Sequence, residues 1–196
     1  LVEDLYLKHT YGIEAVVNSK EMRKGIEQEQ ASIDLYTSTQ GVFCAKNEQW
    51  FENEFIHGTP DIILSDKIVD VKTSWDARTF MRSELTPLYD WQLRAYMMLT
   101  GRDSAEIAYC LVDMPQDMLS DELYRLQFQY TGGEDNPAYQ QAADQLVLNS
   151  QYSRIPETDR IKIYKIERDL DMEARIIARV AQAREYYKGL KLNMVW

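Results

Sequence analysis

Cysteine and histidine are both scarce in this 196-residue sequence, which has two residues of each kind. Cys44 and Cys110 lie in apolar runs typical of strands, so we expect buried free thiols of a protein kept in a reducing cytoplasm. Two cysteines are too few for a disulfide framework, an iron–sulfur cluster or a cysteine-based zinc site. Folds and metal centres that depend on several thiols are therefore excluded.

Basic side chains are in deficit as well: 22 Lys and Arg stand against 32 Asp and Glu, a net charge of −10. Because phosphate binding favours Lys and Arg, this balance counts against nucleic acid as a partner. The charge is uneven, however. Residues 103–153 carry nine acidic side chains and one basic one, whereas residues 154–196 carry ten basic and seven acidic. A locally basic groove on an acidic protein is compatible with this distribution.

Long apolar runs are missing too. No run approaches the roughly 20 residues of a membrane-spanning helix, and no signal-peptide pattern opens the chain. The sequence is 45% hydrophobic and 28% charged, which is typical of globular proteins and not of disordered ones. We therefore expect a single cytoplasmic domain over residues 1–196, with no membrane partner.

Periodicity and turn signals predict alternating helices and strands. Ser19 is expected to cap the first helix, and Pro87 and Gly101 to bound a later one. The predicted helices cover residues 20–38, 87–99 and 169–189, with a weaker one near 76–84 and two within 116–150 separated by a loop at 131–137. The predicted strands cover residues 41–47, 48–56, 59–65, 67–74, 105–114 and 159–168. This order indicates an α/β or α+β domain with a mixed central β-sheet and an acidic helical insertion at about 115–152.

The strands at 59–65 and 67–74 are predicted to form a hairpin that brings acidic residues together. If Ser65 and Asp66 form its turn, counting outward places Asp61 opposite Asp70, with Cβ atoms about 5 Å apart. Lys72 projects from the same face as Asp70. Two carboxylates in direct opposition repel each other, and a divalent cation between them would reverse that effect.

Two interpretations of this hairpin remain open. The alternation Asp-Val-Lys is typical of any half-exposed strand, with Val69 and Val71 facing the core. Alternatively, the two carboxylates and the ammonium form a metal site. Oxygen ligands with retained waters suit Mg²⁺ or Mn²⁺ rather than zinc or copper. Such ions support phosphodiester hydrolysis, because they activate water and neutralise charge on the phosphate.

Two predicted helices carry polar residues on faces expected to be apolar. One helical stripe consists of Ile26, Glu29, Ile33 and Tyr36. A carboxylate in that stripe is unfavourable unless it is paired or bound to metal, although Glu29 could also reach solvent at the stripe's boundary. On the later helix, Gln92 and Tyr96 share a face, and core packing explains the tyrosine better than the glutamine.

Four motifs follow one another along the chain: Gly25-x3-Glu29-x6-Tyr36, Gly58-Thr59-Pro60-Asp61, Asp70-Val71-Lys72 and Gln92-x3-Tyr96. Each is weak alone, whereas the four in this order and spacing are fairly specific. Together they resemble the PD-(D/E)XK nuclease superfamily, and within it the phage lambda exonuclease and YqaJ-like viral recombinase branch. The motifs cover roughly residues 20–100. The resemblance implies a restriction-endonuclease-like core, completed by the last predicted strand and helix.

The resemblance also implies a role for each motif residue. The implied ligands of Mg²⁺ or Mn²⁺ are Asp61, Asp70, the backbone carbonyl of Val71 and, directly or through water, Glu29. Lys72 would orient the attacking water or help to deprotonate it. Gln92 would support the site beside the Lys72 strand, and Tyr96 would pack or hydrogen-bond behind it.

The sequence departs from the family pattern at three positions. Asp70 stands where many members have Glu, and its shorter arm alters the spacing of the metal ligands. Ser32 stands where the branch usually has Ala. Glu27 offers a rival carboxylate on another face of the first helix.

Residues outside the motifs are candidate DNA contacts. Trp75 directly follows the Lys72 strand and would stack on a base or wedge a duplex end, unless it belongs to the core. The arginines considered for phosphate binding are Arg78, Arg82 and Arg94, followed by the weaker candidates Lys162, Lys165, Arg175 and Arg179. Exposed helical arginines more often face only solvent. His57 is expected to make a local hydrogen bond beside the Gly-Thr-Pro-Asp turn.

The resemblance implies a metal-dependent DNA nuclease, and more specifically an exonuclease of phage-type recombination or DNA end processing. Two alternatives remain open: a structure-specific or restriction-type endonuclease, and a catalytically inactive acidic binding protein on a nuclease fold. The complete set of acids and lysine disfavours the inactive protein. Implied partners are DNA, a single-strand annealing or other recombination protein, and further copies of the chain in a homo-oligomer. The acidic residues 103–153 would then lie away from the DNA.

Overall fold

The computed structural model describes residues 1–14 and 19–191, so the expected domain bounds of 1–196 include residues 15–18 and 192–196 outside the described residues. The helices are α1 (Val2–Tyr11), α2 (Lys20–Glu27), α3 (Glu29–Gln40), α4 (Ala77–Arg82), α5 (Pro87–Thr100), α6 (Gln116–Gln127), α7 (Pro137–Ser150) and α8 (Leu170–Gly189). The strands are β1 (Phe51–Glu52), β2 (His57–Gly58), β3 (Ile62–Ile63), β4 (Lys67–Thr73), β5 (Ser104–Cys110) and β6 (Ile161–Glu167). In the described part of the chain, no helix is long and apolar enough to cross a membrane.

Four strands form a mixed sheet in the order β3-β4-β5-β6. β4 pairs antiparallel with β3 and parallel with β5, and β6 closes the other edge antiparallel to β5. The chain passes from β4 to β5 through α4 and α5, since parallel neighbours need a long crossover. The prediction of an α/β fold with a mixed central sheet flanked by helices is confirmed.

An apolar layer covers each face of the sheet. On one face, Val69 and Val71 of β4 pack with residues of α3. On the other face, Ile68 packs with Leu93 and Met97 of α5. Because side chains alternate along a strand, even-numbered residues of β4 point to the α5 side. The polar positions of β4 are therefore also covered by a helix, and the strand is not half-exposed.

The helix predicted over residues 20–38 is two helices. Gln28, with φ −107° and ψ 11°, ends α2 and begins α3. The break takes Ile26 out of line with α3, so the expected apolar stripe is wrong at its first member. Ile26 is 73% exposed, whereas Ile33 is buried. Ser19 caps α2 as expected, because its hydroxyl accepts a hydrogen bond from Met22 N.

The strands predicted at 41–47 and 48–56 are wrong apart from the two residues of β1. Phe43 is fully exposed, whereas Val42 and Cys44 of the same run pack against the core without pairing as a strand. Asn47 connects the segment to the sheet instead: its N–H donates to Asp61 O at 2.7 Å, and its side-chain amide donates to Pro60 O at 2.9 Å. One residue, Asn47, therefore makes through its backbone and its side chain the connection that a full strand would have made.

Helices α5 to α8 lie close to their predicted positions, but α1 is not among the predicted elements. It has no buried residue and a weak apolar pattern, so local sequence offers little signal. Its place comes from packing on α8, where the rings of Tyr6 and Tyr187 meet edge to face at 5.9 Å.

The segment predicted as an acidic insertion, 115–152, contains α6 and α7, which pack on each other. Basic side chains of α2 neutralise part of the negative charge of this segment. Arg23 pairs with Asp117 and Asp121, and Lys20 Nζ lies 2.5 Å from Glu122 Oε1. Helix α6 is therefore attached to the segment that carries the first motif.

Lys24 of α2 is only 1% exposed and joins this helix to the sheet. Its ammonium donates to the carbonyls of Ser74 (3.0 Å), Trp75 (2.9 Å) and Val112 (2.9 Å), just beyond the ends of β4 and β5. Burial lowers the pKa of Lys24 to about 8, against the opposing effect of the charges of Asp113 and Asp76. Sequence reasoning missed this role, because a lysine in a short charged helix looks like a surface residue.

Replacing Lys24 by Met should lower the free energy of unfolding by about 2–4 kcal/mol, because three carbonyls lose their donor while the apolar stem is kept. Chemical denaturation measures the loss. Lys20→Met is the matched control: its side chain is 47% exposed on the same helix, and the change should stay below about 1 kcal/mol. Equal losses in both variants would contradict the role assigned to Lys24.

Candidate active site

The hairpin of β3 and β4 has the predicted register. Ile62 pairs with Val69, and the ladder closes on the two-residue turn Ser65-Asp66. Continuing the count by one residue places Asp61 opposite Asp70. Ser-Asp is not a favoured pair for such a turn, and the register forms nevertheless.

Pro60 interrupts the ladder immediately beyond Asp61. The register places Pro60 opposite Val71, and proline has no N–H to donate to the Val71 carbonyl. The Val71 N–H donates to the Asp61 side chain, with 2.7 Å between Val71 N and Asp61 Oδ2. Because the N–H and C=O of one strand residue point to the same side, the Val71 carbonyl also faces Asp61. This geometry favours the expected carbonyl ligand.

Asp70 is buried on the α5 side of β4, with 2% of its surface exposed. Its Oδ1 accepts a hydrogen bond of 3.3 Å from Gln92 Nε2. Its Oδ2 lies 2.6 Å from Lys72 Nζ, at an ion-pair distance but outside hydrogen-bond geometry. Within the described residues, this buried oxygen has no hydrogen-bond partner. The ion pair with Lys72 compensates the buried charge only in part, and a carboxylate oxygen that accepts no hydrogen bond fits a bound cation.

Both carboxyl groups resist ionisation. Burial, and then the charge of Asp70, raises the pKa of Asp61 to about 7. Burial also raises the pKa of Asp70, against the lowering effect of Lys72. A dication beside the pair would favour the charged forms of both.

The Lys72 ammonium lies against both an acid and an aromatic ring. It is 4.9 Å from the ring centroid of Tyr89, in addition to its contact with Asp70. Burial by itself lowers the pKa of Lys72, but Asp70 and then Asp61 outweigh burial and raise it. The side chain therefore stays charged at neutral pH, which favours orienting water over accepting its proton.

Gln92 and Tyr96 meet behind Asp70, as their spacing on α5 predicts. Gln92 Nε2 lies 3.0 Å from Tyr96 OH while it also reaches Asp70. The Tyr96 ring lies directly on Gly58, where an added Cβ would stand 2.6 Å from Tyr96 Cε1. Glycine is therefore required at position 58 for this close approach of helix and hairpin.

Glu29 is the first residue of α3 and lines the same cleft, of about 490 Å³, as Asp61 and Lys72. Its Oε2 lies 2.5 Å from Lys46 Nζ, so a lysine of the chain engages this carboxylate. In residues 1–14 and 19–191, no three Asp, Glu, His or Cys side chains converge closely enough to hold a metal ion. The converging side chains are Asp61 and Asp70, and Glu29 as a third ligand stays a prediction.

Two residues of α3 attach the first motif to the sheet. Tyr36 OH donates to Glu106 Oε2 at 2.6 Å, and Glu106 Oε1 accepts from Lys67 Nζ at 2.8 Å. Ser32 Oγ lies 2.7 Å from Thr73 Oγ1, which satisfies the hydroxyl that departs from the family pattern. Sequence reasoning missed Glu106, although a single acid inside a buried apolar strand was an available signal.

Three candidate residues lie outside the cleft. Glu27 is exposed and pairs with Arg23 Nε at 2.7 Å. Arg94 Nε lies 3.0 Å from Asp90, so its charge is already engaged. Trp75 is half-buried and lines a separate cavity of about 430 Å³ beside α7.

Arg78 and Arg82 are exposed and line a second opening, of about 660 Å³, together with Lys72. His57 stacks on Trp50 at 4.6 Å, an aromatic contact rather than the expected hydrogen bond. As for the thiols, Cys110 is free and buried, and Cys44 is free and half-buried.

Comparison with known proteins gives structural matches only. No protein-family model and no curated protein matches the sequence. A phage-related exonuclease from Haemophilus somnus 129PT has a TM-score of 0.73 and 27% identity, covering 95% of this chain and 78% of that one. The alkaline exonuclease LHK-Exo from Laribacter hongkongensis has a TM-score of 0.64 and 15% identity, covering 95% and 77%. LHK-Exo in complex with dAMP has a TM-score of 0.63 and 16% identity. The chain thus has the fold of these exonucleases, and the resemblance inferred from its motifs is confirmed.

Without metal, stability should fall as pH rises from about 4 to about 7, because folded Asp61 binds a proton that the unfolded chain has released. Asp61→Asn keeps an oxygen acceptor for Val71 N and removes this titration. We expect it to raise the free energy of unfolding by about 1–2 kcal/mol at pH 8 and much less at pH 5. Denaturation in EDTA at both pH values measures the effect. The exposed Asp34→Asn is the control, and a gain from Asp61→Asn that is the same at pH 5 and pH 8 would refute the assignment.

Proposed function

We propose that this chain is a Mg²⁺- or Mn²⁺-dependent deoxyribonuclease that acts as an exonuclease in phage-type recombination or DNA end processing. The observation that carries the proposal is the meeting of Asp61, Asp70 and Lys72 on one strand pair. The fold of the phage-related exonuclease supports it.

The residues fit a hard divalent cation. The Asp70 oxygen without a hydrogen-bond partner, the Asp61 carboxylate and the Val71 carbonyl form an all-oxygen donor set. Glu29 would join directly or through water if Lys46 gave way. When bound, the ion would activate water and neutralise charge on the phosphate.

The other side chains have supporting roles. Lys72 supplies a fixed positive charge where negative charge develops during phosphodiester cleavage. Gln92 holds Asp70 in place, and Tyr96 in turn holds Gln92. By analogy with the neighbour that binds dAMP, we expect deoxynucleoside monophosphates among the products.

With Mg²⁺ or Mn²⁺, the purified chain should degrade linear duplex DNA and leave closed circular DNA intact. In EDTA it should leave both intact. Lys72→Ala should lower the rate by at least about 100-fold, because it removes a charge at the reacting phosphate. Lys188→Ala, which removes an exposed lysine of α8, is the control and should keep the wild-type rate. Cleavage of the closed circle would identify an endonuclease, and no cleavage of either DNA would reject the nuclease proposal.

Mn²⁺ should raise the melting temperature of the chain, because a cation at the site binds only the folded state. At a free Mn²⁺ concentration 100 times the dissociation constant, binding adds about 2.7 kcal/mol to the free energy of unfolding. Asp70→Asn should abolish the shift, whereas Glu27→Gln, which alters the rival carboxylate, should retain it. A shift of equal size in Asp70→Asn would place the ion elsewhere.

A further inference from the structure

A groove of about 710 Å³ runs between α5 and α8. Its α5 wall contains Leu88, Trp91, Gln92 and Ala95, and its α8 wall includes Arg175, Ile176 and Arg179. Leu88 is 73% exposed, so part of this apolar wall faces solvent. The guanidinium of Arg175 lies 5.2 Å from the centre of the Trp91 ring. The groove thus combines an aromatic and aliphatic wall with cationic groups.

The charge of the groove is opposite to that of the protein. Among the residues that the structure describes, no acidic side chain lines it, although the chain carries a net charge of −10. Arg175 contacts Met172 Sδ at 3.1 Å, and Arg179 contacts Gln182 Oε1 at 3.2 Å. Within the described ranges, neither guanidinium pairs with a carboxylate. Most exposed arginines of an acidic protein would have acidic neighbours, so these two are available for an anionic ligand.

Gln92 connects the groove to the candidate active site. Its side chain lines the groove and also donates to Asp70 Oδ1. The groove therefore lies one side chain away from Asp70, which is close to the position of a phosphate bound beside Asp61 and Asp70. An anionic polymer that leaves the site needs both cations and surfaces for its bases, and the groove supplies both.

We propose that the α5–α8 groove binds single-stranded DNA adjacent to the cleaved phosphate. Arg175 and Arg179 contact backbone phosphates, and Trp91 with Leu88 forms the surface on which bases pack. This inference rests on the proposed nuclease function. The missing acidic residues and the connection through Gln92 favour a nucleic acid strand over a protein segment.

The groove is tested by the binding of a labelled single-stranded oligonucleotide to the full chain in EDTA. Fluorescence anisotropy measures the affinity at several salt concentrations. Each phosphate contact contributes about 0.7 to the slope of log affinity against log salt. The double variant Arg175→Gln, Arg179→Gln should therefore lose about 1.4 from that slope. Trp91→Ala should weaken binding by about 10-fold, and Trp91→Phe should restore most of it because a ring remains.

The matched control removes two charges that already have acidic partners: Arg125→Gln with Lys188→Gln. It should leave affinity and slope at the wild-type values. If the Arg175, Arg179 variant also keeps the wild-type slope while the protein cleaves DNA, the groove proposal is overturned and a protein occupant becomes the better explanation. If the slope falls as expected but no metal supports cleavage, the groove stands and the nuclease function fails.

Discussion

The rest of this structure depends on two carboxylates buried side by side, Asp61 and Asp70. Like charges removed from water are strongly unfavourable, so each oxygen must find a compensating group. The chain supplies the Lys72 ammonium, the amide of Gln92 and the backbone N–H of Val71. These groups come from the hairpin and from α5, so the contacts that shape the candidate active site also hold α5 against the sheet. Asp70 Oδ2 has the ion pair with Lys72 but accepts no hydrogen bond in the described part of the chain, and the proposed cation site rests on that observation.

Sequence reasoning reached the parts of the site that short-range geometry determines. Strand alternation and a two-residue turn are enough to oppose Asp61 and Asp70, and the structure has that register. Helical spacing is enough to bring Gln92 to Tyr96, which meet at 3.0 Å. The order of helices and strands also specified the mixed sheet, because strongly periodic segments show their type in local sequence.

Features set by distant segments were not predictable in this way. The break at Gln28 depends on how α2 and α3 separately meet the sheet, and the carbonyl contacts of Lys24 join residues at least 50 positions apart. The segment at 41–56 has the alternation of a strand but no partner for most of its length. Val42 and Cys44 pack against the core while Phe43 between them is exposed, so an apolar pattern predicts a strand only where a neighbouring strand is available to pair with it.

The turn Ser65-Asp66 has a consequence for how the chain can change. Side chains alternate with a period of two, so one inserted residue would shift β3 against β4 and place Asp61 and Asp70 out of phase. Many sequences can form a two-residue turn, but the length of this turn is fixed because it places Asp61 opposite Asp70. Related chains should therefore vary in the residue types of this turn but not in its length. They should accept insertions elsewhere, for example in the loop between α6 and α7 at 128–136.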